Sequence, residues 1–231
     1  MERKDLIAAV KKLKSSSEKR NFVQSVDVII NLHNLDMKKQ QNNVDQFISL
    51  HYTRGKKTKV CAIVGPELTD QAKQVCDGVV TAEEMVRAYK DNKKAIRKLT
   101  NQYDYFIAQA TIMPQIATVF GRVFGPRGKM PNPKAGCVVP PNANLKILYD
   151  RLQKLIRVQT KSAPSIKFAA GTEAMSDEEL IDNIETVYKS ILNAIPSAEN
   201  SIRDVSVKLT MGKPVKVESH AEEEPRKGRK R

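Results

Sequence analysis

At 231 residues the chain has room for one large domain or two modest ones, since single domains usually run to about 100–200 residues. Hydrophobic residues make up 40% and aromatics 5% with no Trp, so real cores can form, and they must be mainly aliphatic. Lys and Arg total 40 against 26 acids, a net charge of +14, which favours a polyanionic partner because Lys and Arg displace the counterions of a phosphate backbone.

Met1 to Asp5 is charged with no apolar run behind it, unlike a signal peptide, and no stretch approaches the ~20 apolar residues of a membrane helix. Cys61, Cys76 and Cys137 are odd in number and lack CxxC spacing, so reduced thiols in the cytosol and no metal site are expected.

Residues 2–14 read as an amphipathic helix with Leu6, Val10 and Leu13 on one face. Residues 22–32 alternate: Val26, Val28, Ile30 and Leu32 point one way, Ser25, Asp27 and Asn31 the other, as in a half-buried strand interrupted only by Ile29. A polar loop at 33–45, a second strand at 46–52 and the basic turn Arg54-Gly55-Lys56-Lys57 follow. The character changes at Val60. The apolar run from Val60 to Val64 predicts a strand, then a helix at 67–77, a strand at Gly78-Val79-Val80, and a helix at 81–99. A strand from Tyr103 to Ala108 and a helix around 112–122 come next. This alternation predicts a small parallel sheet with helices on its faces. A Gly/Pro-rich segment at 125–144 precedes a helix at 144–156.

From Arg157 the pattern returns to a strand from Ser165 to Gly171 and a helix opened by the capping box of Ser176 and Glu179, with Leu180, Ile184, Val187 and Ile191 along one face. Val205 to Leu209 form the last strand, and 218–231 read as a charged, disordered tail. Neither outer segment completes a sheet alone, so pairing them is the economical arrangement; two sequential domains are the open alternative. The expected fold is α+β and α/β. A two-layer α+β domain comprises 1–59 plus 157–217, and an inserted Rossmann-like, three-layer α/β domain comprises 60–156. The positive charge sits mostly on the first two thirds: residues 1–60 carry +7, 61–156 +6 and 157–231 +1.

No enzyme pattern survives inspection. Gly128-Lys129 is followed by Met130 rather than Ser or Thr, and Val123 stands where a phosphate-binding loop needs Gly. His33, His51 and His220 fall in a loop, a strand and the tail, without partner spacing for a metal or a triad. Asp177, Glu178 and Glu179 occupy a first helical turn, where carboxylates favour the free N–H groups. No catalytic residue and no cofactor are expected. A nucleotide-dependent enzyme and a general basic chaperone or DNA-binding factor are the competing readings. The first lacks the phosphate-binding glycines; the second predicts equal affinity for DNA and RNA.

The most unusual segment runs from Phe124 to Gly136, with Gly125, Pro126, Arg127, Gly128, Lys129, Met130, Pro131, Asn132, Pro133 and Lys134 between. Prolines fix φ and glycines permit sharp turns, so a rigid basic loop is expected. This segment resembles the signature of the large-subunit ribosomal protein L-one family, most of all its archaeal members. So do Thr210-Met211-Gly212 and the run from Phe22 to Asp27. The resemblance extends from residue 2 to about residue 217.

What the resemblance implies is a monomer when free, which joins other ribosomal components in the cytoplasm. It binds large-subunit rRNA at the mobile stalk beside the tRNA exit site, assists release of deacylated tRNA from that site, and represses translation of its own mRNA through a mimic of the rRNA site. By the same resemblance the rRNA and mRNA contacts are Phe22, Ser25, Asp27, Thr210, Met211 and Gly212, on the domain made from both chain ends. Arg20, Gln24, Lys167 and Lys208 are lesser candidates. Their chemistry suits RNA: Phe22 can pack on a ribose or base, Ser25 and Thr210 can hydrogen-bond 2′-hydroxyls, and the Asp27 carboxylate can accept from a 2′-OH. From the residues alone, a core position for Phe22 and a plain strand end at 210–212 are the lesser alternatives.

Overall fold

A computed structural model describes residues 3–18, 20–33, 43–90, 92–160, 163–195 and 201–217. The loop expected at 33–45 lies largely, and the tail at 218–231 with His220 wholly, outside the described residues. In chain order the elements are α1 (Arg3–Ser16), β1 (Ser25–Leu32), β2 (Asp45–Ser49), β3 (Val60–Val64), α2 (Pro66–Val75), β4 (Gly78–Thr81) and α3 (Ala82–Glu84). Then come α4 (Lys93–Gln102), β5 (Tyr105–Gln109), α5 (Met113–Arg127), β6 (Val138–Val139), α6 (Leu145–Lys154), β7 (Leu155–Gln159), β8 (Ser165–Thr172), α7 (Asp177–Ala194), β9 (Ile202–Leu209) and β10 (Val215–Lys216). The chain divides into two compact units, Met1–Asp45 with Val158–Arg231, and Gln46–Arg157. The divisions fall inside β2 and β7, which pair as a separate two-stranded sheet, rather than at 59/60 and 156/157.

In the first unit, β1 is a central strand, antiparallel to β8 on one side and to β9 on the other, in the order β10-β9-β1-β8. Its alternation is realised residue by residue: Val26, Val28, Ile30 and Leu32 are buried, and the residues between them are half-buried. Leu6, Val10 and Leu13 of α1 and Leu180, Ile184, Val187 and Ile191 of α7 are buried, with α1 against α7 and β9 and α7 against β8, which gives two layers. The Ser176 capping box forms as the sequence predicts. A β-bulge between Val26 and Asp27 leaves Ala170 as the extra residue on β8, and the buried Asn183 amide donates to its carbonyl at 3.1 Å. The structure adds β10, a two-residue edge strand beyond the expected last strand.

In the second unit, β4-β3-β5-β6 form an all-parallel sheet. β3 is buried at every position because helices cover both faces. Val60, Ala62, Val64 and Ile107 pack under α2 and α6; Cys61, Ile63, Phe106 and Ala108 pack under α4 and α5. The mixed class, with a four-stranded antiparallel sheet in one unit and a four-stranded parallel sheet in the other, is the expected one.

Four local expectations are corrected. The helix at 81–99 is broken. Thr81 caps α3 with Glu84, a π turn (Met85–Tyr89) turns Met85 fully into the core, and Asn92 caps α4 by accepting from Ala95 N at 3.1 Å. The basic loop starts at Gly128, not Phe124, because α5 runs on through Gly125 and Pro126, with Phe124 held against Phe106 and Phe120 at centroid distances of 4.4 and 4.9 Å. Residues 155–156 begin β7 instead of ending α6, since both Leu155 and Ile156 are buried. His51 lies just past β2, in a bend.

Candidate nucleic-acid interface

The first unit brings the segments around residues 24 and 210 together at one corner of its sheet. β1 starts where β9 stops, so Ser25 and Thr210 meet. Ser25 N donates to the Thr210 hydroxyl at 3.1 Å, and Thr210 N donates back to Ser25 O at 3.1 Å. One residue earlier, Gln24 is 2% exposed and acts as a hub. Its backbone N donates to Glu173 Oε1 at 3.0 Å, its side-chain Nε2 donates to Glu173 Oε2 at 3.4 Å, and its Oε1 accepts from Met211 N at 3.2 Å. Gly212 N donates to Leu209 O at 3.0 Å, closing the turn after β9. A Cβ at Gly212 would stand 3.3 Å from Leu209 Cβ, so the turn is tight.

Around this stitched backbone three apolar side chains point to solvent: Phe22 at 51%, Val23 at 61% and Met211 at 65% exposure. Phe22 is therefore not a core residue. Beside them, a cavity of about 510 Å³ opens between the end of α1 and the turn, lined by Ser16, Ser17, Arg20, Gln24, Met211 and Lys213. Arg20 is paired with Glu18 at 2.9 Å.

The sheet face away from the helices continues the surface. Asp27 stands between Lys208 on β9 and Ala169 on β8, and Ile29 between Ser206 and Lys167. Asn31 is hydrogen-bonded to Asp204. Partial burial lifts the Asp27 carboxyl above its usual value, and the Lys208 ammonium pulls it part of the way back. The corner thus offers exposed apolar contacts and the backbone-held Thr210 hydroxyl, with charge supplied by a mixed row of Lys and Asp.

Of the residues the resemblance singles out, Ser25 and Thr210 are joined directly, and Met211 is held through Gln24. Gln24 itself is enclosed, which makes it a positioning group rather than a surface contact. Lys167 is exposed and Lys208 half-buried on the sheet face. Sequence reasoning missed Val23 and Glu173. Val23 sits in a run that looked like strand, and Glu173 follows β8 with no pattern to mark it.

The signature segment belongs to the second unit, where its polar groups are largely engaged. Gly128 takes φ +65° to end α5, and Lys129 N donates to Phe124 O at 3.1 Å. The Lys129 ammonium donates to Thr100 O at 2.7 Å and Tyr103 O at 2.6 Å, and the Arg127 guanidinium donates to Asn101 Oδ1 at 2.5 Å and Arg97 O at 3.4 Å. Desolvation lowers the Lys129 pKa. Asn132 accepts from Lys134 N at 2.9 Å, Pro131 is buried and Met130 packs on the core. The segment fastens the end of α5 to the end of α4.

Among the described residues, no cluster of His, Cys, Asp and Glu could hold a metal ion, and no helix is long and apolar enough to cross a membrane.

The model of the ribosomal protein L1p/L10e family matches residues 11–213. The chain is similar to the large ribosomal subunit protein uL1 of Methanothermococcus thermolithotrophicus, 38% identical over 218 residues, covering 94% of this chain and 100% of the relative. The protein of that name from Pyrococcus horikoshii is 39% identical over 94% of this chain and 97% of its own length. That from Methanothermobacter thermautotrophicus is 40% identical over 92% and 98%.

Proposed function

The chain belongs to the ribosomal protein L1p/L10e family, and from that premise we propose that it is a constituent of the large ribosomal subunit that binds rRNA through the Ser25–Thr210 corner of its first unit. That unit is the RNA-binding domain, and the second is an insert into it. The observation that carries the assignment is the corner itself. Residues 185 positions apart in sequence are locked together by reciprocal hydrogen bonds, with Phe22 and Met211 left bare beside them.

Each group has a role there. Phe22 and Met211 pack on ribose or base faces, which are apolar above and below their polar edges. The Ser25 hydroxyl and the Asp27 carboxylate address 2′-hydroxyls, which separates RNA from DNA. Thr210 holds the strand ends in register, and Gly212 keeps the turn compact. Lys167 and Lys208 contribute charge. The protein is not an enzyme on this reading; it works by binding, in the cytoplasm, as a monomer until it joins the ribosome.

In its finer form the proposal places the rRNA site on the mobile stalk beside the tRNA exit site. There the protein assists departure of deacylated tRNA. Free copies bind a mimic of the rRNA site in the protein's own mRNA and repress its translation. The test is the affinity of Phe22→Ala and Met211→Asp variants for a stalk-type large-subunit rRNA hairpin. A loss of at least tenfold in each, with unchanged circular dichroism, supports the assignment. Unchanged affinity in both removes it.

A further inference from the structure

Half of the net charge of the chain sits in less than a fifth of its length. Residues 93–134 hold eight bases and one acid, a net +7 of the total +14. The folded chain concentrates it further. α4 and α5 carry Lys93, Lys94, Arg97, Lys98, Arg122 and Arg127 and no acid at all. On the opposite layer of the same sheet, α2 and α6 carry four bases and three acids. α4 and α5 share one core beneath them, through Ile96, Leu99, Ile116, Phe120 and Phe124, so their outward sides face the same way.

Helix stability does not account for this charge. Lys93 and Lys94 occupy the first turn of α4, where the helix dipole disfavours cations. All six basic side chains are exposed, and among the described residues none of them is in an ion pair. Arg127 is fixed by its hydrogen bonds to Arg97 O and Asn101, which holds one cation in place between the two helices. The surface also lacks what a protein partner would use. No large apolar side chain is exposed on α4 or α5, whereas protein interfaces are anchored by buried aromatic and aliphatic groups. A phosphate backbone needs no such anchor.

We propose that the outward face of α4 and α5 is a second nucleic-acid site, which holds an RNA phosphate backbone by charge without reading its sequence. It is separate from the Ser25–Thr210 corner: the corner selects the RNA, and the helical face adds a salt-sensitive grip on RNA of any sequence. Either can fail without the other.

The test compares two triple variants of the full-length protein, each lacking three positive charges from the second unit. One is Lys94→Gln, Arg97→Gln, Lys98→Gln; the other, from the opposite layer, is Lys73→Gln, Lys146→Gln, Arg151→Gln. Binding of a labelled single-stranded RNA of mixed sequence is titrated across salt concentrations. Each lost phosphate contact flattens the log K against log salt slope by about 0.7, so the first triple should lose about 2 in slope and bind on the order of a hundredfold more weakly at 0.1 M salt. The second should stay close to the parent. Arg122→Glu alone should shift the slope in the same direction as the first triple. Phe22→Ala should leave the slope unchanged, which separates failure of this site from failure of the corner. Equal slopes for the two triples, or displacement of the RNA by polyglutamate as readily as by unlabelled RNA, would overturn the proposal.

Discussion

Gln24→Glu tests the hub beneath the proposed RNA corner, because it keeps the shape of the side chain and changes one donor to an acceptor. In the parent, Gln24 Nε2 donates to Glu173 Oε2 at 3.4 Å. The variant puts two carboxylate oxygens at that separation. Two unit charges 3.4 Å apart repel by about 5 kcal/mol at an effective dielectric of about 20. Glu173 is only half-buried and can turn toward water, so the net loss should be smaller, about 2 kcal/mol, similar to one charge-assisted hydrogen bond. The sign with pH follows from the new carboxyl. Its folded pKa is raised above the unfolded value of about 4.3, so the penalty is present above that value and vanishes as the pH falls and the group takes up a proton. Urea unfolding followed by circular dichroism from pH 4 to 8 should show variant and parent converging near pH 4 and separating by pH 7. Gln24→Ala, which removes the acceptor for Met211 N, should lose stability at every pH. A Gln24→Glu loss independent of pH, or below about 0.5 kcal/mol at pH 7, would refute the hub.

Further outcomes follow from the same structure. Burial raises the Asp27 carboxyl pKa, so its ionised form costs folded stability at neutral pH and less as the pH falls through the carboxylate range. Asp27→Asn should therefore melt no lower than the parent at pH 7 while binding the rRNA hairpin less tightly and discriminating less against DNA; a lower melting point with unchanged affinity would make Asp27 structural. Burial pushes the thiols of Cys61 up to about 12 and of Cys76 and Cys137 up to about 11. All three should react slowly with a disulfide reagent at pH 8 in the native protein and quickly in guanidinium; a fast native thiol would contradict the packing around it. Lys129→Met leaves the carbonyls of Thr100 and Tyr103 without the ammonium and should lower stability by about 1–2 kcal/mol in urea, with no change in affinity for the hairpin.

The parts of the fold that were legible in the sequence are those set by period and cap. β1 alternates because one face meets helices and the other does not, and α7 announces itself by Ser176, Glu179 and a stripe of Leu, Ile and Val. The break in 81–99 was hidden because its apolar residues keep a roughly helical spacing, while the deciding contacts, Met85 in the core and Tyr89 on Phe120, are tertiary. The Gly and Pro content around Pro126 predicts loop, although a proline near a helix end disturbs only the last turn. The corner was legible only through resemblance. Nothing in the spacing of Ser25 and Thr210 reveals that β1 and β9 are neighbours, and nothing about Gln24 reveals that it is enclosed. Charge is misleading in one respect. Lys129 belongs by composition to a basic loop, but its ammonium closes the end of α4, whereas the exposed Lys and Arg of α4 and α5 make no ion pair among the described residues.

The central claim is that the corner of the first unit selects one RNA. The most direct measurement is sequencing of the RNA crosslinked to the full-length protein and to the Phe22→Ala variant in the cells that make it. The account predicts that one region of the large-subunit rRNA dominates with the parent and is strongly depleted with the variant. RNA spread evenly over many transcripts with the parent, or the same rRNA peak undiminished in the variant, would contradict it.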